Sequence, residues 1–157
     1  MYTQTVTGRI MRPNAKVFQP ARGSHMTPGD QLMIRVPCVN WRNTQWSGRD
    51  FFRGAGVKAN YAGPDRDVWY VARSQGVKII TVMINTFGTV ELTRDSRARG
   101  RACGISCQDA RGLECSCQCG GVNHGLGGIP GSWHWTCTGD FIIEHTGIRR
   151  VAHVLSK

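Results

Sequence analysis

The sequence has no long run of apolar residues. No hydrophobic segment approaches the roughly 20 residues that a membrane-spanning helix needs. The opening residues, MYTQTVTGRIM, lack the basic start and the continuous apolar stretch of a secretory signal. Both absences argue against a membrane protein, so we expect no membrane partner and a cytoplasmic location.

Acidic residues are also scarce. The chain has 10 Asp and Glu against 20 Lys and Arg, which gives a formal net charge of +10. A field of this sign attracts polyanions, so the expected partner is nucleic acid or an acidic protein surface. Arginine supplies 16 of the 20 basic residues, and its planar fork suits phosphates and guanine edges, although a GC-rich genome also produces this ratio.

Familiar catalytic motifs are missing. The sequence contains no H-E-x-x-H, no P-C-x-x-C deaminase pattern, no P-loop and no G-x-S-x-G. These absences favour a non-enzymatic protein. A metal-dependent or Cys/His-dependent enzyme stays open as an alternative, because a spare thiolate beside Asn123-His124 could act as a nucleophile with its base.

Glycine and proline, in contrast, are plentiful, and they divide the chain into short elements. The runs 67–74 and 77–85, joined by Gln75-Gly76, predict a hairpin that continues into 89–93 as a three-stranded antiparallel meander. A loop is expected at 11–31 and a short helical turn at 44–56. Further strands are predicted at 3–10, 31–39, 132–138, 140–146 and 149–155.

Five of the seven cysteines lie between Cys103 and Cys119. In a reducing cytosol such a cluster is typical of metal ligands, not of disulfides. A helical turn would place the first two thiols on one face, an extended C-x-C-x-C would align the next three, and Gly120-Gly121 would return the following histidine. The segment therefore predicts a metal site, with zinc as the expected ion and an iron-sulfur cluster as the alternative. Six candidates for four ligand positions are Cys103, Cys107, Cys115, Cys117, Cys119 and His124.

The run CGISCQDARGLECSCQCGGVNHG resembles a segment of uncharacterised small proteins of bacteriophages, prophages and actinobacteria. The resemblance covers about 23 of the 157 residues and implies an origin in a mobile element acting inside a bacterial host. The predicted fold class is α+β and β-dominated, with antiparallel sheets, few short helices and an inserted Cys-rich metal-binding knuckle. A single domain, 1–157, is expected, with 103–124 inserted between β regions at 67–93 and 132–155.

Two arginine-bearing segments are candidates for nucleic-acid contact. WRNTQWSGRDFFR interleaves aromatic and basic residues, as a site that stacks bases and holds phosphates requires, although aromatics in such a pattern more often fill the core. RDSRARGR, interpreted as a solvated linker before the cysteines, could clamp a phosphate backbone. The candidates are Trp41, Arg42, Arg49, Arg53, Arg94, Arg97, Arg99 and Arg101.

The alternation in SWHWTC predicts a strand with a buried face. Trp133, Trp135 and Cys137 would lie on that face, and His134 on the outer one.

Taken together, these features of the sequence predict a small, basic, zinc-binding, phage-like protein that binds nucleic acid or a nucleic-acid-processing complex. The alternative is an inhibitor that binds a host defence protein or polymerase.

Overall fold

The computed structural model describes residues 3–4, 10–11, 15–23, 30–37, 44–63, 68–96, 134–143 and 146–157, with backbone alone at 3–4, 10–11 and 44–47. The strands are β1 Thr3–Gln4, β2 Ile10–Met11, β3 Ala15–Gln19, β4 Leu32–Arg35, β5 Ala59–Tyr61, β6 Trp69–Val71, β7 Thr89–Ser96, β8 His134–Ile143 and β9 Ile148–Ser156. The helices are α1 Thr44–Ala55 and α2 Gly76–Phe87, and a 3-10 turn, Arg73–Gln75, precedes α2.

Seven of these strands form one mixed sheet in the order β5-β6-β4-β3-β7-β9-β8, while β1 and β2 pair with each other. The β-dominated α+β class is thus confirmed. The expectation of purely antiparallel pairing is wrong at the centre of the sheet, where β3 and β7 run parallel. The chain between them includes both helices, and a long connection of this kind is what parallel neighbours require.

Residues 77–85 form most of α2, so the predicted hairpin and meander are wrong. The β-branched residues there favoured a strand, but the buried side chains recur with helical spacing at Ile79, Ile80, Met83 and Ile84. Gly76, interpreted as a turn residue, is the buried first residue of this helix. Packing of one apolar face against the sheet therefore overrides the local β propensity.

The helical turn predicted at 44–56 is a full helix of 12 residues. It ends at Ala55, and Gly56 follows in the left-handed conformation that favours glycine, with φ of 65°. Near its middle, Gly48 lies so close to the Trp69 indole that a Cβ atom there would come within 2.6 Å of the ring. The absence of a side chain at Gly48 thus allows α1 to pack on β6.

Two segments expected to be loop or linker are strands of the sheet. The predicted loop at 11–31 contains β3, whose buried residues Ala15, Val17 and Gln19 alternate with Lys16 and Phe18. The predicted linker at 94–101 begins inside β7, which runs to Ser96. Short length and flanking prolines concealed β3, and charged residues concealed the end of β7.

The core lies between one face of the sheet and the two helices. Leu32, Ile34, Val71, Val90 and Leu92 belong to one buried cluster with the apolar residues of α2, and Phe52 of α1 packs on Trp69 with ring centroids 5.2 Å apart. All these strand residues share one face by register and alternation. Both helices therefore cover the same face of the sheet.

Three polar side chains, Gln19, Arg94 and His153, are also buried on the helix-covered face. The Arg94 guanidinium carbon lies 5.1 Å from the centre of the Trp135 ring, and the His153 ring meets the same indole edge-on. Arg94 is only 2% exposed, because it lies on the helix-covered face of β7 against the Trp135 ring. The expectation that Arg94 stands in a solvated linker is therefore wrong.

The strands β8 and β9 form a hairpin at the end of the described sheet. His134 is exposed as predicted, and Trp135 packs against the core, but Cys137 is exposed instead of buried. Cys137 pairs with His153 and shares the face of Trp135, but it lies on the last strand of the described sheet, where no further described strand covers it. Arg149 donates two hydrogen bonds, of 2.7 and 2.6 Å, to Asp140 across the hairpin, and these bonds hold the pKa of Asp140 below its ordinary value.

Candidate nucleic-acid interface

The sheet face opposite the helices, which we call the groove face, carries a different set of side chains. Lys16 and Phe18 of β3 point to this side, as do Arg35 of β4 and Arg150 of β9. They line a groove of about 400 Å³, together with Met33 and Thr93 among others. The groove therefore spans strands that are far apart in sequence.

The strand register arranges this surface in rows. Arg35 and Lys16 are direct cross-strand partners, and we call them the cation row. Two residues further along the strands, Phe18 and Met33 are partners in the same way. On β7, Glu91 is the partner of Lys16, and Asp95 lies four residues further along, about 13 Å from the cation row. Arg150 of β9 is the partner of Asp95. An apolar, aromatic row thus separates positive charge on its two sides.

Arg150 is held in place from two directions. Its Nε and Nη2 donate to the two carboxylate oxygens of Asp95 at 2.7 and 2.8 Å. Asp95 is only 6% exposed, and the guanidinium carbon of Arg150 lies 5.2 Å from the centre of the Phe18 ring. The hydrogen bonds with Asp95 raise the pKa of Arg150 against the opposing effect of burial, so this group stays charged at any physiological pH.

The charges in the groove are predominantly positive. Lys16 pairs with Glu91 at 3.3 Å, but both side chains are substantially exposed, so this ion pair is weak. Arg35 is also exposed. Among the described side chains that line the groove, Glu91 is acidic, whereas Lys16, Arg35 and Arg150 are basic. Such a surface attracts anions.

An exposed aromatic residue extends this surface towards the sheet edge. Phe141 of β8 is the cross-strand partner of Arg150, so the two side chains share the groove face. Phe141 is 53% exposed, which is unusual for so large an apolar side chain. Arg150 is therefore flanked by Phe18 on one side and Phe141 on the other, and an aromatic ring beside a guanidinium is suited to stacking a base.

The structure separates the three described arginines of the sequence prediction, Arg49, Arg53 and Arg94, from this groove. Arg49 and Arg53 are exposed on α1, on the helix side of the sheet, and Arg53 lies 3.8 Å from Asp50. Phe51 and Phe52 of the same segment pack together in and beside the core, so the interleaved pattern is that of an amphipathic helix. Arg94 is buried, as described above. Trp41, Arg42, Arg97, Arg99 and Arg101 lie outside the described residues.

The predicted metal ligands Cys103, Cys107, Cys115, Cys117, Cys119 and His124 also lie outside the described residues. Within the described ranges, no group of three or more His, Cys, Asp or Glu side chains is placed to hold a metal ion.

Each of the two described helices has 12 residues, and neither is long and apolar enough to cross a membrane.

Sequence reasoning missed the residues that form the groove. Lys16 and Phe18 could have been found, since AKVFQ alternates between the two faces of a strand. Arg150 had no such signal, because its role depends on pairing with Asp95, 55 residues earlier in the chain.

In comparisons with protein-family models, with curated proteins and with solved structures, nothing matches this chain.

Proposed function

We propose that this protein binds nucleic acid through the groove face. The observation that carries the proposal is the groove itself, which Lys16, Arg35 and Arg150 line together with the aromatic ring of Phe18. Cations supply sequence-independent contacts to phosphates, and aromatic rings stack bases. The net charge of +10 supports the same partner, because it steers a polyanion towards the surface.

The aromatic residues favour nucleic acid over an acidic protein as the partner. An acidic protein surface is attracted by the same positive field, but it gains little from exposed rings placed beside a guanidinium. Bases gain stacking energy from such rings, of about 1–3 kcal/mol for each base. The exposure of Phe141 next to Arg150 therefore supports the nucleic-acid hypothesis specifically.

The test compares two double variants with the same change in net charge. Lys16→Gln with Arg35→Gln removes the cation row, and Arg49→Gln with Arg53→Gln removes the exposed charges of α1. Binding of labelled single-stranded and duplex oligonucleotides is measured by fluorescence anisotropy across a range of salt concentrations. We expect the groove variant to lose about tenfold in affinity and the helix variant to lose much less, since local phosphate contacts dominate.

Three other outcomes would count against the proposal. Equal, small losses in both variants would mean that only the overall field acts. A larger loss in the α1 variant would place the contact on the helix side of the sheet. Failure of the wild-type protein to bind any oligonucleotide at low salt would refute nucleic-acid binding altogether.

We also propose that the cysteine segment binds zinc. The support is the sequence itself, namely five cysteines and His124 within 22 residues, at spacings that bring thiolates together. In this proposal the metal stabilises the chain between β7 and β8, and the groove face carries the binding. An iron-sulfur cluster is the alternative occupant, and metal analysis separates the two.

A further inference from the structure

Arg150 lines the groove, and among the described residues its two bonds to Asp95 leave further N–H donors for a ligand. A guanidinium carries five N–H donors, and Asp95 accepts one from Nε and one from Nη2. Of the other three, two lie on the Nη1–Nη2 edge of the guanidinium, which is not the edge that binds Asp95. This edge has the fork geometry that suits a phosphate group.

The side chain of Arg150 is also held rigidly before any ligand arrives. The Asp95 carboxylate fixes one edge of the guanidinium, and the guanidinium carbon lies over the Phe18 ring. An arginine on an open surface must lose rotamer freedom when it binds, whereas Arg150 has already lost much of that freedom. Asp95 thus lowers the entropic cost of contact at Arg150, even though it adds a negative charge near the site.

The neighbouring aromatic ring indicates the form of nucleic acid. In a duplex the base faces are stacked within the helix, so an exposed ring such as Phe141 has no base face to contact. A single strand can turn its bases outwards onto such a ring while its phosphates follow the cations. The concave groove of about 400 Å³ also matches the pocket volumes that hold small ligands, and not a wide, convex duplex.

We infer that the groove takes single-stranded nucleic acid, with Arg150 donating to a phosphate, Phe141 stacking an adjacent base, and Asp95 acting as a positioning residue for Arg150. This inference rests on the proposed function and deepens it. Removal of a negative charge ordinarily strengthens the binding of a polyanion. This inference predicts the opposite at Asp95, where loss of the charge weakens binding.

The decisive experiment compares Asp95→Asn with Glu91→Gln. Both substitutions remove one negative charge from the groove face, so a simple field effect would strengthen oligonucleotide binding in both. We expect Glu91→Gln to bind as well as wild type or better, and Asp95→Asn to bind several-fold more weakly. Anisotropy titrations with a labelled single-stranded homopolymer measure the effect, and thermal melts confirm that each variant is folded.

Two further variants keep the inference testable even if Asp95→Asn fails to fold. Arg150→Gln should flatten the dependence of log K on log salt by about 0.7, the value for one phosphate contact on a single strand. Phe141→Ala, at an exposed position, should weaken single-stranded binding several-fold and leave that slope unchanged. A variant that is merely misfolded would not lower the salt slope for Arg150→Gln while leaving it unchanged for Phe141→Ala.

Failure of this inference and failure of the proposed function look different. If the wild-type protein binds no oligonucleotide, the proposed function itself fails. If it binds, but prefers duplex, or if Arg150→Gln keeps the wild-type salt slope, or if Asp95→Asn binds more tightly, then nucleic-acid binding stands, but Arg150 and Asp95 do not act in it as inferred.

Discussion

At the residue scale, the contact between Gly48 and Trp69 makes a sharp prediction about stability. A Cβ atom at position 48 would lie 2.6–2.7 Å from three atoms of the indole, so Gly48→Ala must move α1 away from β6 or displace the ring. We expect a loss of about 1–3 kcal/mol in the free energy of unfolding, the usual cost of overpacking. Chemical denaturation measures it.

Gly54 provides the matched control on the same helix. A Cβ atom there has nothing within 4 Å, so Gly54→Ala gains helix propensity without a clash. Its stability should be unchanged or higher by up to about 1 kcal/mol. Equal effects of the two substitutions would show that the close approach of Gly48 to Trp69 does not constrain the packing of α1.

At the element scale, the segment joining β3 and β4 is tied to the turn before α2 by one side chain. Arg73 is 11% exposed, and its Nε donates to the Asp30 carbonyl at 3.0 Å while its Nη2 contacts the Asp30 carboxylate at 3.1 Å. Nη2 also donates to the carbonyl of Pro20, the residue that follows β3. A single guanidinium thus links both ends of that connection to the 3-10 turn.

Removal of this link should cost more than a surface ion pair. We expect Arg73→Ala to lower the free energy of unfolding by about 2–3 kcal/mol, because it leaves partly buried acceptors without their charged donor. The control is Arg22→Ala, since Arg22 meets the same Asp30 at 3.5 Å but is 67% exposed, and its loss should cost less than about 1 kcal/mol. Similar losses in thermal or denaturant unfolding would contradict this role of Arg73.

The elements also show what a sequence can and cannot reveal about this fold. The strands β4, β8 and β9 and the helix α1 have local signals, and the β-dominated class follows from them. The helix α2 resembles a strand in sequence because Val, Ile and Thr favour strands locally, and only burial of its face at Ile79, Ile80 and Met83 decides for a helix. The parallel pairing of β3 with β7 joins residues some 75 positions apart, such as Lys16 and Glu91, and no local pattern predicts it.

The candidate site divides in the same way between local and long-range signals. The net charge of +10 predicts the class of partner without any structure. The location of the site does not follow from the sequence, in which Arg49 and Arg94 looked equivalent. In the structure Arg49 is exposed on a helix, whereas Arg94 is buried in a strand. Arg150 becomes a candidate only when β7 and β9 pair and bring Asp95 to it.

At the scale of the whole molecule, the cysteine segment connects distant parts of the sheet. The strands β7 and β8 both run antiparallel to β9, which lies between them, so they point in the same direction. β7 ends at Ser96, opposite Arg149 near the start of β9, and β8 begins at His134, opposite Ser156 at the end of β9. The chain that leaves Ser96 at one end of β9 therefore re-enters the sheet at the other end of β9.

A metal in that segment would therefore stabilise the connection between the two ends. We expect about one zinc for each chain by elemental analysis, with no visible absorption band, and a lower melting temperature after treatment with a chelator. Cys103→Ser and Cys107→Ser should each reduce the zinc content. Cys137→Ser is the matched control, because this exposed thiol lies in β8 outside the segment and its loss should leave the zinc content unchanged.

Iron with a visible chromophore would instead identify an iron-sulfur cluster. Protein purified under reducing conditions with neither metal would show that these cysteines are not a metal site.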